Sequence, residues 1–274
     1  MVFFGVLVLR SLGGSIDRPP APPPPPPSAL DPSERDERGR EVRELGLARY
    51  PESTPIERAT THRFDALRAP HRVAYALDAL PYRETEADFR GLGEELGFAR
   101  SPAGFTYVPT KSCPDALVCA WRFLGRRNAE DVRALAARFV RHARADRLSS
   151  REAAQLVIAF VQAIPYERND DWLFGLLPPN AVAWERRGDC DSKAMLAILL
   201  LHELGIDAVM LSSDAHGHAV VGVDLPYGRS QLTFEGRRYA MTEVTAYGWP
   251  LGELPPSVRH PDDWTPTRVI ARPR

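Results

Sequence analysis

The sequence predicts an α+β fold in which a buried helix packs on an antiparallel β-sheet. The run "AMLAILLL" is apolar on nearly every side, so the helix that contains it must be buried. After this helix come four short runs rich in Val, Thr, Tyr and Phe, the composition of β-strands. Helical patterns followed by strands indicate the α+β class, with the helix packed on the sheet.

Three helices are predicted before the strands. Asn128 can cap the first, and Ser149 with Glu152 forms a capping box for the second, which Pro165 ends. Spacing of three and four residues defines their core-facing sides: Val132, Leu135, Ala136, Phe139 and Val140 in the first, and Ala153, Leu156, Val157, Phe160, Val161 and Ile164 in the second. The third is the apolar helix, with Asp189 or Asp191 near its start and Gly205 just past its end.

The predicted strands are "IDAVMLSS", "HAVVGVDL", "QLTFEG" and "RRYAMTEVT", with Glu235 and Gly236 forming a tight hairpin turn. Earlier in the chain, "HRVAYALDAL" and "FTYVPT" also have strand patterns. The Trp- and Pro-containing stretch "DDWLFGLLPPNAVAWERRG" is expected to be a loop.

These patterns divide the chain into three parts. Residues 1–61 hold an apolar N-terminus, a proline-rich spacer between Pro19 and Pro32, and a charged linker. The charged stretch "DPSERDERGREVRELGLARY" has little to bury, so a linker or a peripheral helix is expected there. Residues 62–127 form a small mixed region of unknown role, and residues 128–274 form the main domain.

Charge and cysteine content restrict the partners and the compartment. With a formal net charge of −1, the chain lacks the basic surface that nucleic acid or an anionic membrane requires. The N-terminal "MVFFGVLVL" is too short to span a membrane and is either the remnant of a secretory signal or anchor or a disordered terminus. Cys113 and Cys119 are expected to pair and Cys190 to stay free, which favours export to the periplasm or outside the cell; the alternative is three reduced cysteines in the cytoplasm.

Cys190 lies at the start of the apolar helix. The partial positive charge of a helix N-terminus favours a thiolate, and a neighbouring imidazolium favours it further. Asp189 and Asp191 oppose this unless they cap backbone amides. A cysteine in this position is more often an inert, small buried residue, so a base must be found.

Among the seven histidines, His218 is the predicted base because it opens a strand that can face the helix start; His216 is the second choice. His202 lies twelve residues along the same helix, roughly 18 Å from the thiol at ~1.5 Å per residue, and is excluded. The others lack special neighbours: His62, His71, His142 and His260. Without a further Cys or His cluster, neither a metal nor another cofactor is predicted.

A carboxylate should hold the imidazole. Asp224 lies six residues along the strand from His218, roughly 20 Å away at ~3.3 Å per residue, and is too distant. Glu243, on the last predicted strand, can lie beside the histidine strand; the alternative is a solvated strand residue.

Four blocks, "FVQAIPYE", "GDCDSKAMLAILLLHELGIDAVMLSS", "GHAVVGV" and "YAMTEVT", together resemble the transglutaminase-like superfamily of papain-like thiol enzymes. The resemblance covers residues 149–250 and implies a papain-like core with Cys190 as nucleophile, His218 as general base and acid, and Glu243 orienting His218. Two positions depart from the family, whose members more often have Asp in place of Glu243 and of Ser192.

The implied reaction is acyl transfer, in a cysteine peptidase or amidase that acts on peptide or protein amides. The alternatives are a protein-glutamine transglutaminase, and a non-enzymatic binding module of the same family. The backbone N–H of Cys190 would stabilise the oxyanion, with Gln162 as the candidate second donor.

Overall fold

The computed structural model of this chain describes residues 7–10, 36, 38–50, 59–77, 79–101, 104–169 and 172–273. The predicted proline-rich spacer and the first six residues of the apolar N-terminus lie outside these residues. No helix among the described residues has both the length and the apolar content needed to cross a membrane.

The described part of the chain contains six α-helices and eleven strands. The helices are α1 Ala79–Glu95, α2 Ala116–Asn128, α3 Arg133–Ala145, α4 Ser150–Gln162, α5 Pro179–Glu185 and α6 Cys190–Glu203. The strands are β1 Leu7–Arg10, β2 Arg43–Tyr50, β3 Thr60–Ala66, β4 Ala69–Leu77, β5 Ala99–Ser101, β6 Gly104–Tyr107, β7 Ala208–Ser213, β8 His218–Val223, β9 Gln231–Phe234, β10 Arg237–Thr242 and β11 Thr265–Thr267.

Helix α6 lies at the centre of the fold. From Ala194 to Leu201 every side chain is at most 2% exposed, so the helix is covered on all sides. It packs against α3, α4 and α5 and against strands β7 and β8. The α+β class predicted from the sequence is therefore confirmed.

The main sheet has the strand order β11-β7-β8-β10-β9, with every pair antiparallel. Glu235 and Gly236 join β9 to β10 with φ of 49° and 74°, the two positive values that a tight hairpin turn requires. Val221 pairs with Thr242, and extending this register places His218 diagonal to Glu243. The sheet therefore brings these two side chains to one end.

A second sheet has the order β2-β4-β3, in which β2 runs parallel to β4. Strand β2 comes from the charged stretch, so the expectation of a linker or peripheral helix there is wrong. Its Leu45 and Ala48 are buried against α3 and the core. One hydrophobic cluster contains side chains from Leu45 to Val269, so residues on both sides of position 128 share a core.

The third sheet has the order β1-β6-β5. Close to it in sequence, Cys113 and Cys119 form a disulfide with their Cα atoms 5.9 Å apart, as expected, while Cys190 is a free thiol.

Two local expectations are wrong. Asn128 does not cap a helix: Asp115 caps α2, which continues to Asn128, and α3 begins five residues later without a side-chain cap. The amide of Asn128 instead donates to Thr85 and Asp131 in a buried polar cluster. The expected loop after α4 contains α5, whose first residue is Pro179. By contrast, the capping box of Ser149 is formed as predicted.

Replacement of Gly228 by alanine should destabilise the fold near the end of β10. Gly228 has a φ of +85°, and a Cβ there would lie 2.3 Å from the carbonyl oxygen of Gly252. The backbone of Gly252 in turn donates to Thr242, which precedes Glu243. The matched control is Gly236→Ala, since φ is +74° but no atom lies within 4 Å of the added Cβ.

Urea unfolding should show a loss of about 1 kcal/mol for Gly236→Ala from backbone strain alone. Gly228→Ala should lose at least about 2 kcal/mol more, because backbone atoms must move apart. Equal losses for the two variants would contradict the close approach of Gly228 to Gly252.

Candidate active site

Cys190 is the first residue of α6 and lies beside the start of β8. The Asp189 carboxylate caps the helix by accepting from the Ser192 N–H at 3.0 Å. The Cys190 thiol is partly buried, and the backbone amide of Ala219 lies close enough to the sulfur to affect its pKa. Because Ala219 follows His218 directly, the sulfur lies next to the histidine strand.

His218 and Glu243 are hydrogen-bonded, with Nε2 and Oε2 3.0 Å apart. The other Glu243 oxygen accepts from the Val244 N–H at 2.9 Å, and from the N–H and hydroxyl of Thr245 at 2.6 and 2.5 Å. Glu243 is 4% exposed and is thus fixed on both oxygens. Because Glu243 is bonded to Nε2 of His218, the other ring nitrogen, Nδ1, makes no bond to Glu243.

Each member of the pair favours the charged form of the other. Burial raises the pKa of Glu243, but the hydrogen bond and charge of His218 and the Thr245 contacts outweigh it and lower this pKa to about 2. Burial lowers the pKa of His218, but the bond and charge of Glu243, with a contribution from Asp191, bring it above its usual value. The contact thus favours an imidazolium facing a carboxylate.

The thiol itself is in an unfavourable place for ionisation. Burial raises the pKa of Cys190 well above its usual value, and the charges of Asp191 and Asp189 raise it further. The S–H group donates to Asp191 Oδ1 at 3.5 Å. Within the described residues, no hydrogen bond joins the sulfur to the imidazole of His218. The helix start therefore does not produce a resting thiolate, contrary to the expectation of activation.

Asp191 lies between the thiol, the imidazole and a buried indole. Burial raises the pKa of Asp191 to about 7, with a further increase from the charge of Asp189; Cys190, His218 and Trp121 act in the opposite direction. Trp121 is 2% exposed, and its indole N–H has no hydrogen-bond partner among the described residues. The indole therefore influences Asp191 without the geometry of a hydrogen bond.

Gln162 is not available as an oxyanion donor. Its amide nitrogen donates to the Glu243 carbonyl at 2.8 Å and to the Trp249 carbonyl at 2.9 Å, which uses both hydrogens. Its oxygen accepts from the Gly248 N–H at 3.2 Å. The expectation for Gln162 is thus wrong for a physical reason: it ties α4 to the segment that carries Glu243.

The second-choice histidine and the two residues excluded by distance lie outside the site. His216 contacts Asp263 at 3.2 Å in the turn before β8. Asp224 forms an ion pair with Arg237 at the far end of β8. His202 is in the last turn of α6, remote from Cys190 along the helix axis. The described residues contain no group of three or more His, Cys, Asp or Glu side chains that could hold a metal ion.

Two side chains that sequence reasoning did not single out flank the thiol. Tyr166 forms a parallel bridge with Gly188, and the Glu167 N–H donates to the Gly188 carbonyl at 3.0 Å. This pairing places the segment after α4 alongside the start of α6. Arg168 is hydrogen-bonded to Tyr166 and is close enough to Cys190 and Asp189 for their charges to raise its pKa. The signal was the block "FVQAIPYE", which contains Tyr166 and ends one residue before Arg168.

A third such residue is Lys193, which is fully buried one turn into α6. Its ammonium donates to the Gln162 carbonyl at 3.4 Å, at the end of α4, and to the Ile164 carbonyl at 2.6 Å, two residues beyond it. Burial lowers the pKa of Lys193 to about 7, against the opposing effects of Glu243 and Cys190. Lys193 thus joins the C-terminus of α4 to the helix that carries the thiol.

The fold and site together define an α+β protein with a free thiol at a helix start and a bonded histidine–glutamate pair beside it. No protein-family model, curated protein or solved structure matches this chain.

Alkylation of Cys190 by iodoacetamide should be slow at pH 7 and should rise with pH to above pH 9, because only the thiolate reacts and the pKa of this thiol is raised. Since Cys190 is the free cysteine, incorporation measured by mass spectrometry reports on this site. Asp191→Asn and Asp189→Asn should each move the midpoint to lower pH. A rate that is already at its plateau at pH 7 would contradict the electrostatics described above.

Glu243→Gln should lower the pKa of His218, since the variant keeps a polar partner but removes the negative charge that raises this pKa. An NMR titration of the imidazole protons measures the change. Glu253→Gln is the control, because Glu253 lies near Arg229 rather than His218. An unshifted His218 titration in Glu243→Gln would show that the pair is not electrostatically coupled.

Proposed function

We propose that this protein is a thiol-dependent acyl-transfer enzyme, a cysteine peptidase or amidase of the transglutaminase-like superfamily that acts on peptide or protein amides. One observation carries the proposal. A free thiol at the N-terminus of a buried helix lies beside the start of the strand whose histidine is bonded to Glu243 at 3.0 Å. Thiol, imidazole and carboxylate in this order are the groups that nucleophilic acyl transfer uses.

The positions of the four sequence blocks support a papain-like core. They fall at the end of α4, on α6 with β7, on β8, and on β10; α6 packs against α4, β7 and β8, and β10 pairs with β8. The departure at Glu243 keeps a carboxylate. The departure at Ser192 exchanges a charge for a buried hydroxyl, which accepts from the Leu177 N–H at 2.8 Å and holds the preceding loop against α6.

In the proposed reaction, the Cys190 sulfur attacks the amide carbonyl, and the first amides of α6 stabilise the oxyanion. The C–N bond then breaks as His218 protonates the departing amine, and water resolves the thioester. The resemblance assigns both the base and the acid role to His218. An amine in place of water would make the same site a transglutaminase.

A non-enzymatic binding module is the second candidate, and the raised pKa of the Cys190 thiol is the observation that favours it. A thiol that stays protonated is a weak nucleophile unless its proton is removed during the attack. The bonded pair of His218 and Glu243 favours the enzyme, because a binding module has no need of a fixed imidazole.

We further propose that the protein acts outside the reducing cytoplasm. The disulfide between Cys113 and Cys119 supports this, since such bonds persist in oxidising compartments.

Hydrolysis of fluorescein-labelled casein should depend on the proposed residues. Cys190→Ser should abolish it, and His218→Ala should reduce the rate by about 10²–10⁴-fold, the range of general acid–base catalysis. The matched control is His216→Ala, which removes a histidine two residues away that is paired with Asp263 instead. It should stay within about twofold of the wild type.

Adding a labelled primary amine to the same assay separates the candidates. New casein termini indicate a hydrolase, and label incorporated into casein indicates a transglutaminase. If the wild type and Cys190→Ser are equally inert with casein and with small activated esters, the enzyme proposal fails and the binding module stands.

A further inference from the structure

We propose that Asp191 is the base that removes the proton of the Cys190 thiol, and that His218 acts as the acid toward the leaving group. This inference rests on the proposed acyl-transfer function and assigns the role of the base in the first step to Asp191 instead of His218.

The first argument is contact. The thiol of Cys190 donates its hydrogen bond to Asp191 Oδ1 at 3.5 Å, a normal distance for a sulfur donor. No such bond joins the thiol to His218 within the part of the chain that the structure describes. The proton that must leave the sulfur is therefore already directed at a carboxylate.

The second argument is the partner of His218. The imidazole Nε2 lies 3.0 Å from the carboxylate of Glu243, which is buried and fixed by Val244 and Thr245. This contact favours the protonated imidazole, which has no free lone pair to accept the thiol proton. The protonated ring can donate to a departing amine, which amide cleavage requires.

The third argument is that Asp191 is free to accept the proton of the thiol. No Arg or Lys forms an ion pair with it in the described ranges, and the nearby Trp121 indole does not reach hydrogen-bonding geometry. Its neighbour Asp189 is occupied as the helix cap. The environment raises the pKa of Asp191 to about 7, close to the value at which a base works best at neutral pH.

Other titratable groups lie around the thiol and Asp191. Asp189 belongs to the turn before α6, Lys193 to α6 itself, His218 to β8, and Tyr166 with Arg168 to the segment after α4. In the described part of the chain, the hydrogen bond from the sulfur goes to Asp191 and to none of these groups.

Every bond and proton is accounted for in the proposed steps. The S–H bond breaks, its proton moves to Asp191, and the sulfur electron pair forms the C–S bond while the carbonyl π pair moves to oxygen. When the carbonyl re-forms, the C–N bond breaks and nitrogen takes the proton of His218. Neutral His218 then accepts a proton from the attacking water, and the departing sulfur recovers its proton from Asp191. The net reaction is amide plus water to carboxylic acid plus amine.

Two small acyl donors with the same acetyl group separate the two roles. p-Nitrophenyl acetate expels a stable phenolate that needs no proton, so its acylation of Cys190 tests the base alone. p-Nitroacetanilide expels a nitrogen that must be protonated, so its cleavage tests base and acid together. The stopped-flow burst of nitro product measures the acylation rate with each donor, apart from the later hydrolysis of the thioester.

Asp191→Asn should slow both reactions by about 10²-fold or more through loss of general base catalysis. This should occur although the loss of a negative charge lowers the pKa of the thiol. The matched control is Asp189→Asn, which removes the neighbouring charge while Asn still caps the helix. It should acylate at least as fast as the wild type. His218→Ala should lose less than about tenfold with the ester but about 10²-fold or more with the anilide.

If Asp191→Asn acylates as fast as or faster than the wild type, Asp191 is only an unfavourable charge and the inference is overturned. Equal losses for His218→Ala with both donors would return the base role to His218. If the wild type shows no Cys190-dependent acylation by either donor, the proposed function itself fails. Circular dichroism and thiol titration after unfolding confirm that each variant is folded and keeps its cysteine.

Discussion

The burial of α6 is the constraint on which the rest of the structure depends. Its middle has no polar face, so α3, α4, α5 and the main sheet must all cover it. Because the helix is held on every side, its first residue cannot move independently of β8. The position of Cys190 beside the histidine strand thus follows from hydrophobic burial, and the polar site is built at the end of an apolar core.

The same burial governs the electrostatics. The first residues of α6 are partly buried, and two carboxylates lie next to the sulfur. The charged forms are therefore favoured in the bonded pair of His218 and Glu243, and the neutral form is favoured in the thiol. In water, the helix N-terminus would favour a thiolate; here desolvation and neighbouring charge outweigh a dipole effect of about 1 kcal/mol.

Local signals in the sequence predicted local structure well. The capping box at Ser149, the turn at Glu235 and the apolar helix after Cys190 each depend on neighbouring residues, and each is present. Strand β2 was missed because a charged run becomes a strand only through its parallel partner β4, which lies far along the chain. Propensity cannot report such a contact.

In the site, too, some features could be predicted from the sequence and others could not. The diagonal placement of His218 and Glu243 could be inferred from two neighbouring antiparallel strands. The use of both Gln162 amide hydrogens depends on the loop after β10 folding back onto α4, which no pattern in the sequence encodes. Likewise, the bond from the thiol to Asp191 depends on the rotation of two adjacent side chains, which spacing does not determine.

Glu243 is held in place from two sides. Strand β10 ends at the residue before it, and the side chain of Gln162 on α4 donates to its backbone carbonyl. Fraying of the outer strand β9 would disturb only β10 and would leave the contact with α4 intact. The edge strand can therefore vary in sequence or open transiently while His218 keeps its bond to Glu243. The stability of the site thus does not depend on the stability of the sheet edge.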